Sequence, residues 1–309
     1  MLKYDKNLGA KPFLKWAGGK TQLLSTIEDR FPSEIKKSLK IKKYFEVFVG
    51  GGALYFYLMN KYDVKESYLY DINQELILTY KVIKNNPKEL IKLLSDLQTD
   101  YVPLEQEDRK DYYLNIRDDF NKDLKEFDFN SYSDAHVVRA SQVIFMNKTC
   151  FNGLFRLNKS GEFNVPHGRY KNPLICDENN IKAVSKILKN TEIINGNYFE
   201  SEDLIDDDSL VYLDPPYRPL SKKSSFTTYA GFEFTDEHQI ELADFYKRIS
   251  DNGAKAILSN SDPKNEDEND NFFDELYKDF NIERVQAKRS INSNGKKRGL
   301  INEILVTNY

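Results

Sequence analysis

Asp214-Pro215-Pro216-Tyr217 follows directly on Leu210-Val211-Tyr212-Leu213, an apolar run that reads as a buried strand. Two prolines fix the backbone and remove two N–H donors, so the turn offers hydrogen-bond acceptors. The Asp214 carboxylate and the Pro215 carbonyl can take both hydrogens of one amine, and Tyr217 supplies a flat face for a ring. That set suits adenine N6, a poor nucleophile because its lone pair is delocalised into the ring. Two acceptors favour a tetrahedral nitrogen, aim its lone pair at an electrophile held in line, and stabilise the positive charge that develops there. Taken alone, the four residues also read as a rigid turn. Chemistry at cytosine C5 would need a cysteine nucleophile, usually after a proline; Cys150 follows Thr149 and Cys176 follows Ile175.

Upstream, Phe48-Val49-Gly50-Gly51-Gly52 lies between a candidate strand and a candidate helix, the place where α/β folds bind nucleotides. Glycines there turn tightly and let backbone approach a ligand. Asp71 ends the next strand, 19 positions beyond Gly52, from where an acid can reach ribose hydroxyls. Tyr55 stands where G-x-G-x-x-G would have its third glycine. A nucleoside ligand without a pyrophosphate, such as S-adenosylmethionine, fits that departure; a plain strand-to-helix turn is the other reading. Lys15-Trp16-Ala17-Gly18-Gly19-Lys20-Thr21 ends like a P-loop but has Leu14 in place of the first glycine, so no NTPase is expected. Gly18 and Gly19, opening a helix, would instead hold a carboxylate at its positive end, and the methionine part of the same cofactor has one. Trp16, the sole tryptophan, also reads as core.

The elements that must position these residues are short. Apolar runs rich in β-branched and aromatic residues predict strands over 44–49, 67–71, 192–195, 209–214, 254–259, 282–287 and 303–308. Helical patterns fall between many of them, at 19–30, 53–61, 73–84, 181–189 and 236–250. Alternation of this kind predicts an α/β fold with a mostly parallel sheet. The last two strands have no clear helix between them and predict a hairpin at a mixed sheet edge. More than a hundred residues separate the second strand from the third, far beyond an ordinary connection. Residues 85–175 therefore form an inserted domain, and 1–84 with 176–309 the main one. The insert has helical patterns at 88–97, 109–121 and 134–147, then a loop or small hairpin over 150–173.

The 309 residues are 40% hydrophobic, and no run approaches the roughly 18 apolar residues of a membrane span. The polar start excludes a secretory signal, so a cytoplasmic protein is expected. Two cysteines and three scattered histidines (His136, His167, His238) form no metal-type spacing. A net charge of −4 hides a segregation: acids crowd 202–208 and 262–275. Arg284, Lys288, Arg289, Lys296, Lys297 and Arg298 share a stretch without an acid. A second basic group is Arg139, Lys148, Arg156, Lys159, Arg169 and Lys171. Such patches are a solvated surface or a phosphate-contacting cleft.

Phe13-Leu14-Lys15-Trp16-Ala17-Gly18-Gly19-Lys20, Phe48-Val49-Gly50-Gly51-Gly52-Ala53, Tyr70-Asp71-Ile72-Asn73, Asp214-Pro215-Pro216-Tyr217 and Ser259-Asn260-Ser261, in that order, resemble the DNA adenine methylase family, the α-class D12-type amino-methyltransferases. The resemblance covers nearly the whole chain. It implies a Rossmann-like methyltransferase sheet, mostly parallel with an antiparallel edge strand, and an inserted, mainly helical target-recognition domain. The implied activity is site-specific methylation of adenine N6 in double-stranded DNA, with Asp214, Pro215, Pro216 and Tyr217 catalytic. S-adenosylmethionine would be contacted by Trp16, Lys20, Asp71 and Asp214, with Tyr198 and Phe199 bordering its adenine. Ala17, Gly18, Gly19, Phe48, Gly50, Gly51, Gly52 and Ile72 complete that set.

In the insert, Phe151-Asn152-Gly153-Leu154-Phe155-Arg156-Leu157-Asn158 and Gly161-Glu162-Phe163-Asn164-Val165-Pro166 resemble the family's GATC-reading hairpin. The resemblance makes Arg156 the guanine reader, and a bidentate arginine is the commonest specific contact to that base. Leu154 and Pro166 would touch thymine or the outer pair, and Phe151 would wedge beside the flipped adenine. Lys15 would reach the first base pair and Arg169 a phosphate, with Asn152 and Asn158 also in the DNA-binding set. Phe151 stands where relatives often carry tyrosine, which keeps stacking and loses any hydroxyl contact. The alternatives are methylation of another adenine site or of RNA, and an idle DNA-binding module, against which intact Asp214 and Lys20 argue. The chain would act alone or beside a separate cognate restriction endonuclease, without metal or membrane, and nothing demands more than a monomer.

Overall fold

The computed structural model describes residues 9–218 (except 17, 19, 123 and 125), 228–229, 232–288 and 300–309. The strands are β1 (Lys40–Glu46), β2 (Asp63–Asp71), β3 (Thr191–Asn195), β4 (Ser209–Leu213), β5 (Thr228–Tyr229), β6 (Phe232–Glu233), β7 (Lys255–Ser261), β8 (Asn281–Lys288) and β9 (Leu300–Thr307). The helices are α1 (Leu24–Asp29), α2 (Ser33–Ser38), α3 (Ala53–Lys61), α4 (Gln74–Asn85), α5 (Pro87–Tyr101), α6 (Gln106–Lys122), α7 (Asp134–Thr149), α8 (Glu178–Leu188), α9 (Asp236–Asp251) and α10 (Phe272–Leu276).

Seven strands form one sheet in the order β3-β2-β1-β4-β7-β9-β8, while β5 and β6 make a separate antiparallel ladder. β3, β2, β1, β4 and β7 run parallel, and β9 is antiparallel to both β7 and β8. The expected α/β class and antiparallel edge are both present. Every residue of β4 is buried, as the interior of a parallel sheet covered on both faces requires. From β1 the chain moves outward to β2 and β3, then returns to β4 on the other side. The strand order therefore reverses between β1 and β4, the position at which open α/β sheets bind ligands beyond their carboxyl ends. The register pairs Glu46 with Tyr212, so the glycine loop after β1 and the tetrapeptide after β4 leave the sheet side by side.

Local chemistry sets the ends of these elements. Gly52 opens α3 in the left-handed region (φ 66°), where a Cβ would lie 2.6 Å from the Tyr80 hydroxyl. Asn73 caps α4 by accepting from the Leu76 N–H at 3.0 Å. Several boundaries differ from expectation, two of them next to the sequence motifs. The helix predicted over 19–30 is only α1, because Gly18 is left-handed (φ 81°) and Lys20 to Leu23 close a turn through the Leu23 N–H (2.8 Å). β1 stops at Glu46, and the residues after it already belong to the glycine turn.

Between β2 and β3 lie α4 to α8, with α7 packed against α4, α5 and α6. Arg139 of α7 is buried and forms an ion pair with Glu75 of α4 at 2.5 Å. It also donates to the Phe120 carbonyl (3.3 Å) and lies 4.1 Å from the Phe120 ring centroid and 4.5 Å from that of Phe127. Arg139 is thus part of the core and corrects its reading as a member of a surface basic patch. Arg139→Ala should cost about 3–5 kcal/mol of unfolding free energy in a denaturant titration, because it strands the Glu75 carboxylate. A loss below about 1 kcal/mol, the scale of a solvated pair, would contradict this.

Candidate active site

Asp214 is the first residue beyond β4. Lys20 Nζ stands 2.8 Å from Asp214 Oδ1 and 3.4 Å from Glu303 Oε2. Ser259 Oγ donates to the same Asp214 oxygen at 3.0 Å and is itself 2.8 Å from the Tyr212 hydroxyl. Among the described residues these contacts fall on Oδ1, which leaves Oδ2 available as an acceptor. The rest of the turn is anchored just as firmly. Gln239 Nε2 donates to the Pro216 carbonyl (3.1 Å), and Asn260 Nδ2 donates to Gln239 Oε1 (3.3 Å). The Tyr217 hydroxyl donates to Glu303 Oε2 at 3.0 Å. Arg218 grips both oxygens of Asp236 (2.7 and 2.8 Å) and reaches Asp270 (2.6 Å). The Lys20 ammonium also lies 4.1 Å from the Tyr217 ring centroid, covering one face of the ring.

Glu46, at the end of β1, is buried and accepts from the Tyr44 hydroxyl at 2.7 Å. Burial above all, aided by the nearby Asp214 charge and opposed by the Tyr44 hydrogen bond, pushes its carboxyl up to about 8. At neutral pH Glu46 is therefore uncharged and sets no second anion beside Asp214. Glu303 is also raised, by burial first, with Lys20 opposing.

The glycine loop meets Asp71 directly. The Gly50 N–H donates to Asp71 Oδ2 (3.0 Å) and the Asn73 N–H to Oδ1 (2.9 Å). Burial pushes the Asp71 carboxyl up against these two hydrogen bonds. Trp16 lies on the loop: a Cβ at Gly50 would sit 2.8 Å from its Cδ1, and one at Gly51 3.1 Å from its Cβ. Phe48 packs on Tyr198 (5.4 Å) and Tyr198 on Phe199 (5.7 Å), with Phe199 and Ile72 exposed. Gly18 forms a turn rather than opening a helix, so the expected carboxylate site at a helix N-terminus is not there. Ala17 and Gly19 lie outside the described residues.

Asn164 N–H to the Arg156 carbonyl (3.2 Å) and Asn158 N–H to the Glu162 carbonyl (2.8 Å) close the hairpin anticipated after α7. The Arg156 guanidinium is on the surface and donates to Asn164 Oδ1 at 2.8 Å. Asn158 Oδ1 accepts from the Ser160 and Glu162 N–H groups (2.9 Å each), which makes this side chain the builder of the turn. The Phe151 N–H donates to the Pro166 carbonyl (2.8 Å), while its ring is 52% exposed. Leu154 is half-buried against the core. Asn152 (φ 58°) and Arg169 (φ 48°) hold left-handed backbone, a costly conformation that clusters at functional sites.

Asn147 joins this hairpin to the N-terminal motif. Its Oδ1 accepts from the Lys15 N–H, and its Nδ2 donates to the Lys15 and Gly153 carbonyls, all at 2.9 Å. Next along the chain, Trp16 stacks on Phe155 with centroids 5.5 Å apart and planes at 24°. Lys15, Trp16 and Lys20 thereby bring hairpin, glycine loop and tetrapeptide together. Sequence reasoning missed Asn147, Gln239, Glu46 and Glu303; an acid inside the apolar run Ile301–Val306 was the one available signal. Of the basic stretch, Arg284 is held by Asp262 (3.0 Å) and Asp274 (2.7 Å), a pairing that favours the surface reading of this residue over the phosphate-contacting one. Residues 289–299 lie outside the described residues. Among the described residues, no helix is long and apolar enough to cross a membrane, and no cluster of three candidate metal ligands occurs.

A mostly parallel sheet thus brings an acceptor turn beside a glycine loop at its switch point, the place where open α/β sheets bind ligands. The family model described as D12 class N6 adenine-specific DNA methyltransferase matches residues 16–291, and the chain belongs to that family. It is a DNA adenine methyltransferase, whose chemistry requires a methyl donor. Type II methyltransferase M.MjaIII of Methanocaldococcus jannaschii is 52% identical over 300 residues, covering 97% of this chain and 99% of the relative. Type II methyltransferase M1.LlaDCHI of Lactococcus lactis subsp. cremoris is 38% identical over 100% of this chain and 99% of its own. DNA adenine methylase of Escherichia coli K12 is 33% identical over 96% and 94%.

Glu46 yields a pH prediction. Its carboxyl rises from 4.5 to about 8 on folding, so the folded chain binds this proton more tightly than the unfolded one. That share of stability is full below about pH 4.5 and is lost as the pH rises through about 8. Glu46→Gln should flatten the fall in melting temperature across this window; an unchanged slope would show that Glu46 is not held neutral.

Proposed function

We propose that this chain transfers a methyl group from S-adenosylmethionine to N6 of an adenine turned out of duplex DNA within GATC. The observation that supports this most is the asymmetric loading of Asp214, with Lys20 and Ser259 both on Oδ1. Oδ2 and the Pro215 carbonyl then accept the two amine hydrogens and turn the nitrogen lone pair toward the cofactor pocket. Tyr217 stacks on the base with the face that Lys20 leaves open. As the nitrogen gains positive charge, the Asp214 carboxylate stabilises it from a fixed position.

The residues fit the cofactor. Gly50, Gly51 and Gly52 bring bare backbone to the pocket, and Asp71 beside them can take ribose hydroxyls. Phe48, Ile72, Tyr198 and Phe199 border the adenine, while Trp16, Gly18 and Lys20 line the methionine end. When bound, S-adenosylmethionine supplies an electrophilic methyl on its sulfonium.

Residues 85–175 act as the target-recognition domain on a catalytic domain of 1–84 and 176–309. Arg156 reads guanine, Leu154 and Pro166 the neighbouring pairs, and Phe151 fills the stack beside the flipped adenine. Lys15, Asn152, Asn158 and Arg169 complete the DNA contacts. The chain acts as a cytoplasmic monomer, alone or beside a separate cognate restriction endonuclease, and the type II names of two relatives favour the second arrangement.

Incubation with labelled S-adenosylmethionine and matched duplexes with or without GATC, alongside RNA, tests the reading. Label should enter only the GATC duplex; equal labelling of both duplexes would refute the specificity. Asp214→Ala should abolish transfer and leave DNA binding intact, and retained turnover would refute its role. Arg156→Ala should cost about 1–3 kcal/mol of discrimination at the guanine; uniform weakening on every sequence would make it a phosphate contact instead.

A further inference from the structure

Glu303 sits in β9, opposite Ser261 of β7 and Val285 of β8, and is only 7% exposed. A carboxylate in that setting is costly unless it is paired. Its two partners both belong to the active site: the Tyr217 hydroxyl at 3.0 Å and Lys20 Nζ at 3.4 Å, each on Oε2. Lys20 in turn lies 2.8 Å from Asp214 and 4.1 Å from the Tyr217 ring centroid. Glu303, Lys20 and Tyr217 thus form a closed triangle behind Asp214, and the carboxylate is the corner fixed to the sheet.

Building on the function proposed above, we infer that Glu303 is a positioning residue for methyl transfer, holding the Tyr217 ring and dividing the Lys20 charge between itself and Asp214. Two consequences follow from the geometry. The hydrogen bond at the far end of the phenol stops the ring from swinging, so the face opposite Lys20 is kept ready for the base. The second carboxylate draws the ammonium partly away from Asp214, which keeps electron density on Asp214 for the target amine. Neither effect involves contact with DNA or cofactor, so the loss should appear in turnover and not in binding.

The test compares Glu303→Gln, Glu303→Ala and Tyr217→Phe in the full-length protein, using steady-state and single-turnover methylation and separate binding of duplex and S-adenosylmethionine. Glu303→Gln retains shape and an acceptor but loses the charge. Its kcat should fall about 10- to 100-fold, the range expected of one contact to a charged group, with KM for both substrates within about twofold. Tyr217→Phe removes one side of the triangle, so adding it to Glu303→Ala should cost no more than Glu303→Ala alone. Wild-type kcat in Glu303→Gln, or multiplicative losses in the double variant, would overturn the inference. If Glu303→Ala fails to fold, Glu303→Gln alone decides. Asp214→Ala serves as the control: inactive Asp214→Ala with fully active Glu303→Gln defeats only this inference, whereas active Asp214→Ala defeats the reading of the site itself.

Discussion

The ion pair between Lys20 and Asp214, 2.8 Å across, joins the N-terminal motif to the end of β4. It lies where the strand order reverses, with Asp214 delivered by the end of β4 and Lys20 by the loop that precedes α1. A buried ammonium and carboxylate are favourable only if their remaining bonding capacity is met. Ser259 adds a hydrogen bond to Asp214, Glu303 sets a second carboxylate 3.4 Å from Lys20, and Tyr212 and Tyr217 tie Ser259 and Glu303 into the same set of contacts. The tetrapeptide follows as a consequence: its first residue is held by Lys20, its third by Gln239, its fourth by Glu303 and the next residue by Asp236.

Charge balance explains the oddities of the surroundings. Two acids, Asp214 and Glu303, approach Lys20, and a third, Glu46, is close enough to feel the Asp214 charge. Burial keeps Glu46 neutral at ordinary pH, so it adds no further anion beside Asp214. Elsewhere the buried Arg139–Glu75 pair does for α4 and α7 what Lys20 does for the sheet. Trp16 performs the equivalent task with an apolar ring, filling the space between the glycine loop and Phe155 of the hairpin.

Much of this was legible in the sequence because its signals are local. The tetrapeptide, the glycine loop and Asp71 are short patterns whose backbone requirements follow from proline and glycine chemistry, and the strand runs gave the sheet class. Helix 19–30 was overextended because periodicity carries no record of a left-handed Gly18. Arg139 was misplaced, and the partners of Arg284 were not foreseen, for a different reason: composition shows a cation but not its partner, and Glu75 and Asp262 are 64 and 22 residues away. Asn147 and Gln239 act through contacts of similar or greater sequence separation and leave no local mark. Glu303 was detectable in principle, since a carboxylate in an apolar strand demands a buried partner.

The central claim is that one oxygen of Asp214 is occupied by the protein so that the other can hold the target amine. A crystal structure with GATC duplex and an S-adenosylmethionine analogue lacking a transferable methyl measures this directly. Adenine N6 should lie at hydrogen-bond distance, about 2.7–3.2 Å, from both Asp214 Oδ2 and the Pro215 carbonyl, with Lys20 and Ser259 still on Oδ1. An amine bound by other groups, or Asp214 with Lys20 spanning both oxygens, would contradict the account.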